Sequence, residues 1–178
     1  MMTPELDALV QKDRIRDLIY SYCQAVDRLD YDRFPALYWP DAKDEHGFNP
    51  EPSVSCFIES LKPLMEGASA IQHCVTNIYI KLDGDYAEAE VYLLNTQFMT
   101  GPDGPYRMLA GGRYNDKIER RNGVWKFLHR RLVMDWATSI PGAVNELDHG
   151  NVVNLSRGRS GPDDPSYAFF TLFRRGEL

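Results

Sequence analysis

The stretch YNDKIERRNGVWKF, residues 114–127, decides the fold of this chain. Its centre, Asn122-Gly123, is a strong turn signal, because a tight two-residue hairpin turn needs positive φ angles that asparagine and glycine adopt readily. Apolar residues such as Ile118, Val124 and Trp125 lie on either side of this turn. The pattern predicts two antiparallel strands, residues 107–120 and 124–136, joined by the turn.

Two further turn signals lie upstream of this hairpin. Asp83-Gly84, followed by Asp85, predicts one turn, and the sequence GPDGP at residues 101–105 predicts another. Residues 70–82 alternate loosely and are rich in Ile, Val, Thr and Tyr, and residues 86–100 form a second long candidate strand. Four consecutive strands joined by short turns indicate an antiparallel meander.

The residues before the meander have helical periodicity instead. Thr3-Pro4 offers an N-cap and a first-turn proline, and apolar residues then recur with a period close to 3.6 as far as Leu29. Shorter helices are predicted over residues 32–38 and 54–65, the latter capped by Ser53. Helices followed by a meander predict an α+β fold, with the helices packed on one sheet face and a pocket between the two layers.

Composition narrows the possible functions. A chain of 178 residues is expected to form one domain, and its net charge of −6 argues against a nucleic-acid surface. We see no signal peptide and no apolar run long enough for a membrane span, so the sequence predicts a cytoplasmic protein without a membrane partner. Three scattered cysteines, the lack of H-E-x-x-H spacing and the lack of a glycine-rich phosphate loop predict no metal site and no cofactor.

The last part of the chain differs from the rest in composition and in the regularity of its pattern. Residues 1–139 are predicted to form the α+β domain, and residues 140–178 an irregular C-terminal extension rich in Pro and Gly. Residues 167–173, YAFFTLF, form an apolar patch within that extension. Because such patches are rarely left in water, we expect the extension to pack on its own domain or on a neighbouring subunit.

His73 is the candidate for acid–base chemistry, since an imidazole suits a general base near neutral pH. Such a base needs a carboxylate that fixes its tautomer, and Asp27 and Asp30 at the end of the first helix are the candidates. Periodicity does not choose between them. The alternative is that His73 is a structural residue and that both acids belong to a helix end or turn.

Three motifs resemble one protein family. These are VDRLDYDRF at residues 26–34, QHCVTN at residues 72–77 and the hairpin at residues 114–127. In this order they resemble the SnoaL-like family of the nuclear transport factor 2-like superfamily, over residues 6–136. The resemblance implies a cone-shaped α+β fold, in which N-terminal helices pack on a strongly curved mixed or antiparallel sheet, and an assembly of dimers or trimers.

The resemblance also implies site residues, through the dehydratase and dehydrochlorinase members of the family. By position, His73 would be the base, Asp27 its orienting carboxylate, and Arg130 the cation that assists a departing anion. Tyr22 stands where the dehydrochlorinases have a lysine, and its hydroxyl could polarise a carbonyl group. The alternatives are that Arg130 is a surface strand residue paired with an acid and that Tyr22 is a core aromatic.

The resulting hypothesis is a cofactor-independent lyase that acts on a small hydrophobic cyclic substrate. An isomerase or cyclase with the same His–Asp dyad, and a non-catalytic binding or assembly module such as the β subunit of ring-hydroxylating dioxygenases, are the alternatives. Polar Asn95 and Gln97 are expected to face solvent, and His129 to point away from Arg130. The residues predicted to line the substrate pocket are Tyr38, Trp39, Phe98, Met108 and Trp136.

Overall fold

A computed structural model describes residues 3–148 and 153–177 of the chain. Its helices are α1 Pro4–Asp27, α2 Phe34–Leu37, α3 Val54–Met65 and α4 Pro165–Phe169. Its strands are β1 Tyr38–Glu45, β2 Ala68–Asp83, β3 Tyr86–Gly101, β4 Gly104–Arg121 and β5 Val124–Pro141.

The two long helices begin at the residues that their sequences predict. The Thr3 hydroxyl accepts the backbone N–H of Leu6 at 3.3 Å, and the Ser53 hydroxyl accepts that of Cys56 at 3.2 Å. These bonds satisfy N–H groups that have no partner inside a helix. The predicted helix at residues 32–38 is shorter than expected, since Tyr38 already pairs with Phe127 as the first residue of β1.

The sheet is mixed, in the order β1-β5-β4-β3-β2. Strands β2 to β5 form the predicted antiparallel meander, and β1 joins its edge parallel to β5. Asn122 and Gly123 have φ angles of 53° and 82°, as the predicted turn between β4 and β5 requires. The α+β fold expected from the sequence is confirmed.

The core lies between the helices and one face of the sheet. Inward side chains of β3 alternate with outward ones, as the pleat requires. Bulges that shift the register of the long strands increase the bending of the sheet around the helices. The largest fully buried apolar side chains are Tyr22, Tyr38, Phe34, Phe57, Phe127, Ile15, Ile19, Leu37, Ile118 and Val91.

The C-terminal extension contacts the end of α1. Ser160 and Gly161 donate to the carbonyl oxygens of Asp27 and Arg28 at 3.2 and 2.8 Å, and the Arg175 guanidinium donates to those of Arg28 and Leu29 at 3.0 and 2.6 Å. Carbonyl groups at a helix C-terminus have no partner within the helix, so the extension caps α1. A neighbouring subunit as a further packing partner stays a prediction.

The apolar patch of the extension is exposed in the single chain. Phe169 is 80% exposed and Leu172 is 89% exposed, and Phe170 and Phe173 contact each other beside them. No helix in the described part of the chain is both long and apolar enough to span a membrane.

Candidate functional site

A cavity of about 320 Å³ lies between α1, α3 and the inner face of the sheet. This volume is in the lower range for small-molecule sites, and most of its lining is apolar. Polar atoms reach its wall at a few points. These points are Tyr22, His46, His73, Asn95, Gln97, Tyr106 and Tyr114.

The structure brings His73 and Asp27 together. Nδ1 of His73 lies 2.6 Å from Asp27 Oδ1, and the backbone N–H of His73 donates to both carboxylate oxygens at 3.1 Å. Asp27 thus fixes both the backbone of β2 at His73 and the imidazole ring. With the proton on Nδ1, the free lone pair of the ring is on Nε2. His73 lines the cavity, whereas Asp27 lies behind it beside a separate surface cleft.

Asp30, the other candidate carboxylate, has a different environment. It is fully buried, lies 3.4 Å from Nε of Arg33, and accepts the backbone N–H of Gly176 at 2.8 Å. The chain passes through a positive φ of 49° at Leu29, which turns Asp30 away from the line of α1. Asp30 therefore belongs to the capping contacts at the end of α1, and Asp27 is the partner of His73.

Replacing Arg175 by methionine should loosen this end of α1. The variant loses two charge-assisted hydrogen bonds to helix carbonyls, which is expected to lower the free energy of unfolding by about 1.5–3 kcal/mol. Urea denaturation followed by circular dichroism measures the change. Arg174→Met is the matched control, since its side chain is 70% exposed; equal stability of Arg175→Met and wild type would contradict the capping role.

Asn95 contacts the atom of His73 that would accept a proton. Its Nδ2 lies 2.5 Å from Nε2 of His73, and its own carbonyl oxygen has no hydrogen-bond partner among the described residues. The expectation that Asn95 and Gln97 face solvent is wrong, since they are 7% and 9% exposed and line the cavity with Leu93. Alternation along β3 showed that they share a face, but it did not show which face is inside.

Arg130 is completely buried, and the described residues that line the cavity do not include it. Its Nε and Nη2 donate to the two carboxylate oxygens of Asp116 at 2.8 and 2.7 Å, and its guanidinium lies about 4 Å from the ring centroids of Tyr22, Tyr114 and Phe127. Arg130 therefore lies behind Tyr22 and Tyr114. It is not at the cavity wall, where the predicted contact with a departing anion would need it. The alternative, a surface strand residue paired with an acid, is right about the pairing, but the residue is buried.

Tyr22 is both a core residue and a cavity residue. Its ring is 1% exposed, and its hydroxyl oxygen lies 3.2 Å from Nε2 of His46. Burial, together with the nearby Tyr114 and Asp44, raises the pKa of Tyr22 well above its ordinary value, and the opposing charge of Arg130 does not offset this. Tyr22 is therefore a neutral phenol that can donate a hydrogen bond.

Of the five predicted pocket residues, only Met108 lines the cavity. Tyr38 is buried in the core, where its hydroxyl donates to Asp44 at 2.6 Å, and the Trp39 indole donates to the Glu119 carbonyl oxygen of β4 at 2.9 Å. Phe98 alternates with inward Gln97 and so faces outward.

Trp136 is half exposed, because a bulge in β5 changes the side on which it lies. The register shifts between Gly111 and Gly112, so that Gly112 pairs with Met134 and Gly111 pairs with Trp136. The extra residue reverses the alternation, leaving Met134 on the cavity side and the indole against Gly111 on the outer side.

The sequence interpretation missed His46 as a site residue. Its ring lines the cavity and stacks on Phe57 at a centroid distance of 4.5 Å, and its Nδ1 makes a very short contact with Asp44. Asp44 and His46 are two residues apart near the end of β1, where alternate side chains share one face. The two-residue spacing of Asp44 and His46, within the charged segment at residues 43–46, could have predicted that these side chains lie together.

Comparison with known proteins places the chain among related sequences and folds. Gamma-hexachlorocyclohexane dehydrochlorinase of Sphingobium indicum is 27% identical over 146 residues, which cover 78% of this chain and 89% of the relative. The dehydrochlorinase structure from Novosphingobium barchaimii superposes with a TM-score of 0.68 at 22% identity, covering 78% and 96% of the two chains. A scytalone dehydratase-like protein of Novosphingobium aromaticivorans gives 0.66 at 20% identity, covering 74% and 88%.

A family model covers most of the domain. The model of the SnoaL-like domain matches residues 7–131, which run from α1 into β5 and include His73 and Asp27. These superpositions show that the structural relatives share the arrangement of helices and sheet described above. The chain therefore belongs to the SnoaL-like domain family.

Proposed function

We propose that this protein is a cofactor-independent lyase that removes a proton from carbon in a small, largely hydrophobic cyclic substrate. The observation that carries this proposal is the contact of 2.6 Å between His73 and Asp27 at the wall of an apolar cavity. A histidine with its tautomer fixed in this way is suited to act as a general base. The dehydrochlorinase relative agrees with an elimination reaction.

The proton would leave a carbon next to a carbonyl or similar electron-withdrawing group. Nε2 of His73 accepts the proton, and Asp27 stabilises the imidazolium ion that results. Negative charge then develops on the substrate, and the hydroxyl donor of Tyr114 at the cavity wall is available to stabilise it. Asn95 would give up its contact with Nε2 when the substrate enters.

The apolar lining favours a ring-shaped or similarly compact molecule. Side chains of Phe57, Leu61, Met65, Leu93 and Met99 contribute to the walls. Their burial against a ligand would supply most of the binding free energy, whereas the few polar points would set its orientation.

The test is an NMR assay in D₂O with cyclic ketones that carry a hydroxyl group or a halide on the β carbon. We expect the protein to form the unsaturated ketone and to introduce deuterium at the α carbon, and heat-unfolded protein to do neither. Exchange without elimination would favour an isomerase that uses the same base. Binding detected by thermal shift, with neither reaction, would refute the lyase and favour a non-catalytic module.

A further inference from the structure

A second histidine–aspartate pair lies on the wall of the cavity that contains His73. Asp44 contacts Nδ1 of His46, and Asn49 fixes the position of this histidine by accepting its backbone N–H at 3.1 Å and donating to the Asp44 carbonyl oxygen at 2.7 Å. The remaining ring nitrogen, Nε2, lies 3.2 Å from the Tyr22 hydroxyl. Asp44, His46 and Tyr22 therefore form a chain of contacts, and both His46 and Tyr22 line the cavity.

Asp44 and Asp116 have different hydrogen-bond partners. Asp44 and Asp116 are both buried carboxylates, and Arg130 uses two N–H groups to bind both oxygens of Asp116. Asp44 has the Tyr38 hydroxyl and the His46 ring as partners. A buried carboxylate is costly unless hydrogen-bond donors satisfy it, so Nδ1 of His46 carries a proton that points at Asp44.

The pair at His73 differs in this respect. The Asp27 side chain is 14% exposed, whereas that of Asp44 is fully buried, and both oxygens of Asp27 also accept the backbone N–H of His73. The Asp27 carboxylate is thus partly exposed and bound by a backbone N–H, whereas the partners of the Asp44 carboxylate are the Tyr38 and His46 side chains. Two histidine–aspartate pairs with different surroundings at one cavity are suited to different roles. The pair at His73 suits the base and the pair at His46 suits the acid.

The orientation of the chain determines where its proton can go. With Nδ1–H donated to Asp44, an imidazolium Nε2–H donates to the Tyr22 oxygen, and the phenol proton of Tyr22 is then free to point into the cavity. Because burial raises the pKa of Tyr22 well above its ordinary value, the phenol keeps a proton to donate. Tyr22 is thus the end of the chain that can contact a substrate oxygen.

We propose that Asp44, His46 and Tyr22 form a proton relay that protonates a departing hydroxyl group, so that the substrate is a cyclic alcohol with a carbonyl group and the reaction is a dehydration. This inference rests on the proposed function and makes it more specific. A halide leaves as a stable anion and needs no proton, whereas hydroxide is a poor leaving group until it is protonated. A relay at the same cavity as the base has a purpose in the second reaction and none in the first.

The step balances in atoms and charge. Nε2 of His73 takes the proton of the carbon α to the carbonyl group, and the electron pair of that C–H bond forms the new C=C bond. The β carbon–oxygen bond breaks, its electron pair goes to oxygen, and the Tyr22 hydroxyl gives this oxygen a proton while it receives one from Nε2 of His46. Water leaves, His73 is protonated and His46 is neutral; proton exchange with water restores both.

The test compares two probes that give the same product. 3-Hydroxycyclohexanone must lose hydroxide, 3-acetoxycyclohexanone loses acetate without needing a proton, and both yield cyclohex-2-enone, which ultraviolet absorption detects. We expect His46→Gln and Tyr22→Phe to lower kcat/KM for the alcohol about 100-fold or more and that for the acetate by less than about 3-fold. His129→Gln, an imidazole on the outer side that contacts Glu45, should leave both values unchanged.

Deuterium exchange at the α carbon, measured on the same variants, separates this inference from the proposed function. Wild-type-like exchange in His46→Gln, with loss of elimination from the alcohol, supports the relay. An equal loss on the two probes, or no loss on the alcohol, overturns it. Exchange without elimination in the wild-type protein overturns the relay but leaves His73 as a base, whereas absence of both reactions refutes the lyase and the relay together.

Discussion

His73→Gln lowers kcat/KM for elimination by about 1,000-fold or more if His73 is the base, since a positioned general base contributes about 10²–10⁴ to the rate. Glutamine fills a similar space and can still bond to Asp27, but its amide does not accept a proton at neutral pH. The α-hydrogen exchange of the ketone substrate should disappear together with elimination. NMR in D₂O measures both reactions in one sample.

Asp27→Asn should also lower the activity strongly, but for a different reason. The amide removes the negative charge that stabilises the imidazolium ion, and its NH₂ group can reverse the tautomer by donating to Nδ1 of His73. We expect a fall in kcat/KM of about 100-fold or more with KM little changed, because Asp27 does not line the cavity.

The control for both variants is His129→Gln, which replaces an imidazole outside the cavity that bonds to Glu45 at 2.7 Å. All three proteins should unfold at similar urea concentrations, which shows that a loss of activity is not a loss of fold. Activity of His73→Gln within about 3-fold of wild type would be far below the contribution expected of a general base and would remove His73 from the reaction.

The largest effect on stability is expected for Arg130→Met. The substitution leaves the Asp116 carboxylate buried without its bidentate partner, which typically costs about 3–5 kcal/mol. It also removes a cation that lies about 4 Å from three aromatic ring centroids. Burial raises the pKa of Asp116 and the charge of Arg130 opposes this, so without Arg130 the carboxyl group should become protonated more easily.

A double variant tests whether the cost comes from the orphaned charge. Arg130→Met with Asp116→Asn has no buried carboxylate at this place, so it should be more stable than Arg130→Met alone. Arg131→Met is the matched control, since its side chain is 57% exposed and pairs with Glu45 at the surface, where such pairs contribute about 0–1 kcal/mol. Urea denaturation of the wild type, Arg130→Met, the double variant and Arg131→Met measures these differences in the free energy of unfolding. A loss below about 1 kcal/mol for Arg130→Met would contradict a buried ion pair that stabilises the fold.

The elements that the sequence determined by itself are those specified by local geometry. Asn122-Gly123 marks the hairpin between β4 and β5, because few residue pairs accept two consecutive positive φ angles. Thr3 and Ser53 mark the starts of α1 and α3, because their hydroxyl groups satisfy N–H groups within three residues. These signals, with the 3.6-residue and two-residue periods, were sufficient for the α+β fold.

The candidate site was predicted only in part. His73, Asp27 and Tyr22 were predicted from a motif resemblance, and the structure brings the first two into contact. Periodicity alone could not separate Asp27 from Asp30, since the chain turns at Leu29 after α1 ends.

Tertiary structure decided the remaining features, because they depend on contacts between residues far apart in the chain. Alternation along β3 placed Asn95 and Gln97 on one face, but only the helices covering that face make it the inner one. The bulge opposite Gly111 and Gly112 turns Trp136 outward, and no local propensity predicts it. Arg130 is buried because Asp116, on the paired strand, bonds to its guanidinium, and that pairing exists only in the folded sheet.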